Sequence, residues 1–171
     1  MELKNDMNLV DLDLENEDER YSFKVMLGEY LKELYIDSEI TITDDLIEQA
    51  YIESISDLEG EFKHWIYICY EDNIPIGFAI AQVDNIGGNW CLKPGYGMIR
   101  EFYIEKHSRR KGYGSELYKF IEDILRREEV SRIYLTTDSM EGIEFWDSQG
   151  YSFTGEICPL NNSGIYEKQI I

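Results

Sequence analysis

Long apolar runs are missing from this 171-residue chain, and none approaches the ~20 residues that a membrane-spanning helix needs. The opening residues, Met1-Glu2-Leu3-Lys4-Asn5-Asp6, also lack the basic start and apolar stretch of a secretory leader. No membrane is therefore expected as a partner, and the expected location is the cytoplasm. Cysteine is sparse. Cys69, Cys91 and Cys158 lie far apart with no C-x-x-C pair. An odd, scattered set argues against a disulfide frame or a zinc site and fits reduced thiols, so no metal is expected. Histidine is scarcer still, and His64 and His107 stand far apart without an evident catalytic partner. Cations are few: 16 Lys and Arg face 35 Asp and Glu, a net charge of −19. Such a chain is repelled by phosphate backbones, which removes nucleic acid from the expected partners.

Apolar residues make up 43% of the chain and aromatics 13%, enough for one ordinary domain with a single sizeable core. The charge is uneven. Residues 1–61 hold 19 acids against 4 bases, a net of −15, while residues 62–171 hold 16 against 12, a net of −4. An acidic N-terminal part could attract a cationic small molecule, or it could simply keep the chain soluble. One segment runs the other way. Lys106, Arg109, Arg110, Lys111 and Lys119 crowd together with only Glu105 and Glu116 against them, which points to a small anionic ligand.

No internal repeat, low-complexity tract or linker divides the chain, so residues 1–171 are expected to form a single domain. Residues 1–19 are acidic and expected to be partly loose, with a short strand over Asn8 to Leu14. From Arg20 the apolar spacing turns helical through Phe23, Met26, Leu27, Tyr30, Leu31, Leu34 and Tyr35. A second helix is expected from Thr43, its cap, to Ile55, with Leu46, Ile47, Ala50 and Tyr51 on one face. Trp65 to Tyr70 and Ile76 to Val83 read as a β-hairpin turning at Glu71-Asp72-Asn73, with Pro75 near the start of the second strand. Asp84 to Gly97 reads as a loop and Met98 to Ile104 as a strand. A helix striped by Leu117, Phe120, Ile121, Ile124 and Leu125 comes next. Arg132 to Thr137 is a strand and Glu141 to Ser148 a helix closed by Gly150. Tyr151 to Ile157 and Ile165 to Ile170 are final strands. Hairpins require antiparallel pairs and βα crossovers favour parallel ones, so the sheet is mixed.

The segment Ile104-Glu-Lys-His-Ser-Arg109-Arg110-Lys111-Gly112-Tyr113-Gly114-Ser115 joins a strand to a helix. Glycines allow a sharp turn and close approach to a ligand, and the first amides of the next helix have no partners within it. A diphosphate suits that place. The segment is not a Walker loop, because no Gly-Lys-Ser/Thr follows. Nor is it the dinucleotide fingerprint, because Leu117 holds the third-glycine position. Arg109-Arg110-Lys111-Gly112-Tyr113-Gly114 instead resembles the Gln/Arg-x-x-Gly-x-Gly/Ala loop of the GNAT acetyltransferase superfamily. Phe102-Tyr103-Ile104 is similar to the strand end that precedes it there. Phe145-Trp146-Asp147-Ser148-Gln149-Gly150-Tyr151 is similar to the family's Phe-Tyr-x-x-x-Gly-Phe. The resemblance covers residues 65–157 and fades over 1–60.

It implies an α/β fold with a mixed, mostly antiparallel central sheet flanked by helices, like other acyl-CoA N-acyltransferases. Residues 1–60 would be variable acceptor-side helices and 61–171 the acyl-CoA-binding core. It implies acetyl-CoA as cosubstrate, with the pantetheine arm along Phe102, Tyr103 and Ile104. The pyrophosphate would lie on Arg109, Arg110, Lys111, Gly112, Tyr113, Gly114 and Ser115, and Phe145 and Trp146 would sit close by. A primary amine, such as one on a cationic small molecule, would attack the thioester directly. Because such an amine has a pKa of ~10.4, it must first lose a proton. Two family positions differ here: Trp146 stands where a tyrosine often serves as general acid, and Ser139 replaces an asparagine. Either the thiolate leaves unprotonated or another hydroxyl such as Ser139 serves as proton donor, and Glu101 is the nominated base, although Arg100 occupies a place where some relatives carry a catalytic glutamate. A monomer or a homodimer is expected. A CoA-binding regulatory module of the same fold without turnover remains as the alternative.

Overall fold

In a computed structural model of the chain, which describes residues 7–88 and 90–171, local chemistry explains where the elements begin and end. β1 (Met7–Asp11) is followed by α1 (Glu17–Leu34). Asn16 caps α1 by accepting from the amides of Asp18 and Glu19, and the acids of the first turn suit the positive end of the helix. The start at Glu17 corrects the expected one at Arg20. Of the residues 1–19 expected to be partly loose, Met7 to Asp11 are a strand and Glu17 to Glu19 are helical, while 1–6 lie outside the described residues. Thr43 caps α2 (Asp44–Leu58), as expected, by accepting from the amide of Leu46 at 3.3 Å.

β2 (His64–Glu71) and β3 (Ile74–Val83) are joined by Asp72 and Asn73, both at positive φ (49° and 64°). Two left-handed residues in a two-residue loop match the twist of a hairpin. β4 (Gly97–Ile104), α3 (Tyr113–Arg127) and β5 (Arg132–Thr137) form a β-α-β crossover whose strands pair parallel, Gly97 with Ile133 and Met98 with Tyr134. α4 (Met140–Ser148) follows, and Gly150 turns left-handed behind it (φ 92°). β6 (Ser152–Ile157) and β7 (Gly164–Gln169) complete a seven-stranded sheet ordered β1-β2-β3-β4-β5-β7-β6. β7 pairs antiparallel with both β5 and β6, and β1 antiparallel with β2. The sheet is thus mixed and mostly antiparallel, with four α-helices among the described residues flanking it.

The chain divides into two compact units, and the division passes within β3 and β4. The first comprises residues 1–80 and 101–118. Its core gathers Phe23, Met26 and Leu27 of α1, Tyr51 of α2, and Ile66, Ile68, Phe78, Ile80 and Tyr103 of the strands. The phenyl of Phe78 meets those of Phe23 and Tyr30 edge-on, at 5.4 and 5.6 Å between centroids, a favourable aromatic arrangement. The expected stripe of α1 runs out before its end: Leu34 is 54% exposed and Tyr35 is also exposed, as is Leu46 of α2.

The second unit comprises residues 81–100 and 119–171. Met98, Tyr134, Cys158 and Ile165 pack together in it. Asp84, only 2% exposed, organises the β3–β4 connection. Its carboxylate accepts from Gln82 Nε2 at 2.8 Å, from the amides of Leu92 and Lys93 at 3.0 Å each, and from the Tyr134 hydroxyl. Four donors on one buried carboxylate account for its charge without a counter-ion. Cys69 and Cys158 are buried, Cys91 is half-buried, and none is in a disulfide. Among the described residues no helix is long and apolar enough to cross a membrane, and no cluster of His, Cys, Asp and Glu could hold a metal ion.

Candidate active site

The basic segment sits where the sequence puts it, between the end of β4 and the start of α3 in the first unit. A short 3-10 turn (Lys106–Ser108) leads into it. Glu105 caps that turn, accepting from Ser108 Oγ at 2.7 Å and from the His107 amide at 3.2 Å. Burial alone would raise the Glu105 carboxyl, but these hydrogen bonds outweigh it and hold the group below its ordinary value. Arg109 is extended (φ −72°, ψ 161°), Arg110 is left-handed (φ 62°) and Gly112 is left-handed (φ 90°).

Gly112 is the N-cap position of α3, because its carbonyl accepts from the Glu116 amide at 3.1 Å. The first-turn amides of any helix lie beyond reach of its own carbonyls, and glycine brings no side chain to cap them. Arg110, Lys111 and Gly112 are exposed. An exposed, cationic turn at the start of a helix can take an anion. Tyr113 and Gly114, read from the sequence as part of the loop, are the first two residues of α3. The Tyr113 ring is buried and its hydroxyl donates to Glu71, a bond that with burial pushes the phenol up to about 12.

The strand end brings Glu101, Phe102, Tyr103 and Ile104 beside this loop. Tyr103 and Ile104 are buried, Glu101 and Phe102 half-buried. Gly77 of β3 approaches the carbonyl of Tyr103 so closely that a Cβ there would stand 2.2 Å from its oxygen. The Glu101 carboxylate accepts from the Tyr30 hydroxyl of α1. Burial first, then the Glu101 charge, raises the Tyr30 phenol well above its usual range, so Tyr30 is a hydrogen-bond donor at any physiological pH. The Tyr103 phenol is also raised, to about 12, by burial and then by Glu33.

Arg109 differs from its neighbours. Its Nε donates to the Ile104 carbonyl at 2.7 Å, and one terminal nitrogen donates to both carboxylate oxygens of Glu33 at 2.6 and 2.8 Å. The guanidinium also lies over the Tyr103 ring, 5.7 Å from its centre.

The remaining expected residues belong to the second unit. Ser139 is exposed and is the N-cap of α4, its hydroxyl oxygen accepting from the Gly142 amide at 3.1 Å. Trp146 is only 6% exposed. Its indole stands edge-on to Phe145 at 4.8 Å and to Tyr151 at 5.3 Å. Sequence reasoning missed Tyr30, Glu33 and Glu71, the partners of Glu101, Arg109 and Tyr113. Tyr30 was visible only as one member of an apolar stripe.

The strand–turn–helix geometry carries at its turn the glycine pattern by which the sequence resembles the GNAT superfamily. Residues 26–151 match the model of the acetyltransferase (GNAT) family, and the chain belongs to that family. No curated protein matches it. Solved structures of similar fold include the PaiA N-acetyltransferase from Thermoplasma acidophilum in complex with coenzyme A. That protein is 15% identical with a TM-score of 0.71, over 96% of this chain and 99% of that one. An aminoglycoside 6'-acetyltransferase type Ii is similar at 18% identity and a TM-score of 0.69, over 96% and 97%. An acetyltransferase from Streptococcus agalactiae is similar at 18% identity and 0.69, over 97% and 99%.

Proposed function

We propose that the chain is an acetyl-CoA-dependent N-acetyltransferase that acylates a primary amine of a small molecule or peptide by direct attack. The observation that carries this reading is the exposed Arg110-Lys111-Gly112 turn, which opens α3 with Gly112 at φ 90°. The diphosphate of the donor would rest on Arg110, Lys111 and the amides of Gly112 to Ser115. The pantetheine arm would follow Phe102 to Ile104 of the first unit; in the second unit, Phe145 and Trp146 are proposed as donor-binding residues. The amine nitrogen forms its bond to the acetyl carbon, the carbon–sulfur bond breaks, and the thiol leaves. Glu101, oriented by Tyr30, would accept the amine proton. Ser139 would relay a proton from solvent to the departing sulfur, regaining its own, so that coenzyme A leaves as the thiol. The acidic residues 1–60 would form the acceptor side of one domain spanning 1–171, suited to a cationic amine. The three unpaired cysteines fit a cytoplasmic setting.

Titration calorimetry of acetyl-CoA against the wild type and Gly112→Glu tests this reading. Micromolar binding lost in the variant supports it, and no binding by the wild type overturns it. One observation favours a second reading, a CoA-binding module without turnover: buried Trp146 stands where the family often has its acidic tyrosine. Tight acetyl-CoA binding with no thiol release across a broad amine panel would select that reading.

A further inference from the structure

The sequence groups Arg109 with Arg110 and Lys111 as cations for a diphosphate, but the three side chains are used differently. Arg110 and Lys111 stand exposed. The Arg109 side chain is only 20% exposed and spans two separate parts of the first unit. Its Nε holds the last carbonyl of β4, and a terminal nitrogen holds Glu33 through both oxygens. Glu33 lies in the last turn of α1, where the helix dipole disfavours an acid unless a cation answers it. Two opposite charges in contact also present little net field to a third.

We infer that Arg109 is a positioning residue: through Glu33 and Ile104 it ties the end of α1 and the end of β4 to the turn that opens α3. The inference rests on the reading of that turn as the acyl-CoA site. Such a tie would also hold the strained part of the turn, because Arg110, which is not a glycine, stands at positive φ directly after Arg109. Arginine suits the task and lysine does not, since only a planar fork with several fixed donors reaches a carbonyl and a carboxylate at once. This also assigns Glu33 to the binding machinery, although no diphosphate would touch a carboxylate.

The test compares Arg109→Gln, Glu33→Gln, the double variant and Arg109→Lys with Arg110→Gln. Two measurements are made: acetyl-CoA affinity over a range of salt, and hydrogen exchange of the amides from 105 to 115 in the ligand-free protein. A positioning pair predicts that Arg109→Gln and Glu33→Gln each weaken acetyl-CoA by up to about fivefold, the scale of a partly exposed ion pair. The double variant is then no worse than either single, and Arg109→Lys does not rescue. Loop exchange speeds up in all four, and only Arg110→Gln lowers the salt dependence of binding. If Glu33→Gln leaves affinity unchanged or tightens it while Arg109→Gln weakens it, Arg109 is a direct phosphate ligand and the inference falls. If the wild type binds no acetyl-CoA, the proposed function falls instead. The exchange data then decide alone: faster loop exchange in both singles sustains the tie, and unchanged exchange overturns it.

Discussion

Adding one methyl group at Gly77 puts the geometry of the β4 end to a direct test. A Cβ there would lie 2.2 Å from the carbonyl oxygen of Tyr103, 2.8 Å from Ile104 Cδ1 and 3.1 Å from Ile104 Cα. The Ile104 methyl can turn away, but the carbonyl and the Cα are main chain. Real Cβ contacts essentially never fall under 3.0 Å, so the strands must part by most of an ångström. Overpacking of this kind costs ~1–3 kcal/mol, and a main-chain obstacle argues for the upper end. At ~2–4 °C per kcal/mol for a chain of this size, Gly77→Ala should lower Tm by about 6–12 °C. The same strand end carries Phe102 to Ile104, so acetyl-CoA affinity should fall in the protein that remains folded. The assay is thermal unfolding by circular dichroism with a calorimetric titration at 20 °C below the variant's midpoint, as a rough working margin. Gly28→Ala is the control: the atoms nearest its new methyl all belong to the Ile47 side chain, the first being its terminal Cδ1 at 3.1 Å, and Tm should change little. A Gly77→Ala protein with wild-type Tm and affinity would refute the claim that these strands need a glycine to meet.

Removing the Asp84 carboxylate should be costly, because Asp84→Ala strands four donors at a site only 2% exposed. A loss of about 3 kcal/mol or more is expected in urea unfolding, and less than 1 kcal/mol would show that the loop re-pairs with water. Ser139→Ala should cost ~1 kcal/mol through the lost cap of α4, and Ser139→Asp should restore that stability. If Ser139 also donates a proton, turnover stays low in Ser139→Asp; equal turnover in both variants and wild type leaves it a cap alone. Glu105 carries a pH signature. Its folded value lies below the ordinary 4.5, so its contribution is present above that pH and is lost as the pH falls through the lower folded value. The stability gap between wild type and Glu105→Gln should therefore be seen at pH 7 and close in acid; a gap that widens in acid would contradict the assignment.

Much of the fold was legible because periodicity reports faces. The buried stripe of α1 through Phe23, Met26 and Leu27, the left-handed turn at Gly150 and the parallel step across α3 all follow from local pattern. Two boundaries were not. Asn16 starts α1 three residues early because a cap acts through one side chain that leaves no periodic trace. Tyr113 and Gly114 are helical although glycine signals a turn, since a first turn demands no donor bond within the helix. Periodicity also overstated burial at Leu34, Tyr35 and Leu46, where the stripe continues after its covering has ended. At the site, the loop and its glycines lie within a dozen residues and could be read directly. The partners of Arg109, Glu101 and Tyr113 lie 76, 71 and 42 residues away, and pairing over such separations is set by tertiary folding alone.

The burial of the thiols has a practical side. Cys69 and Cys158 are closed off, and desolvation first, then Glu71, pushes the Cys69 thiol up to about 12. Half-buried Cys91 is raised as well, by burial and then by Asp84. Since only the thiolate attacks a disulfide reagent, the native chain should react slowly with a colorimetric thiol probe. Coenzyme A released during turnover would then colour against a quiet background, without removal of a single cysteine.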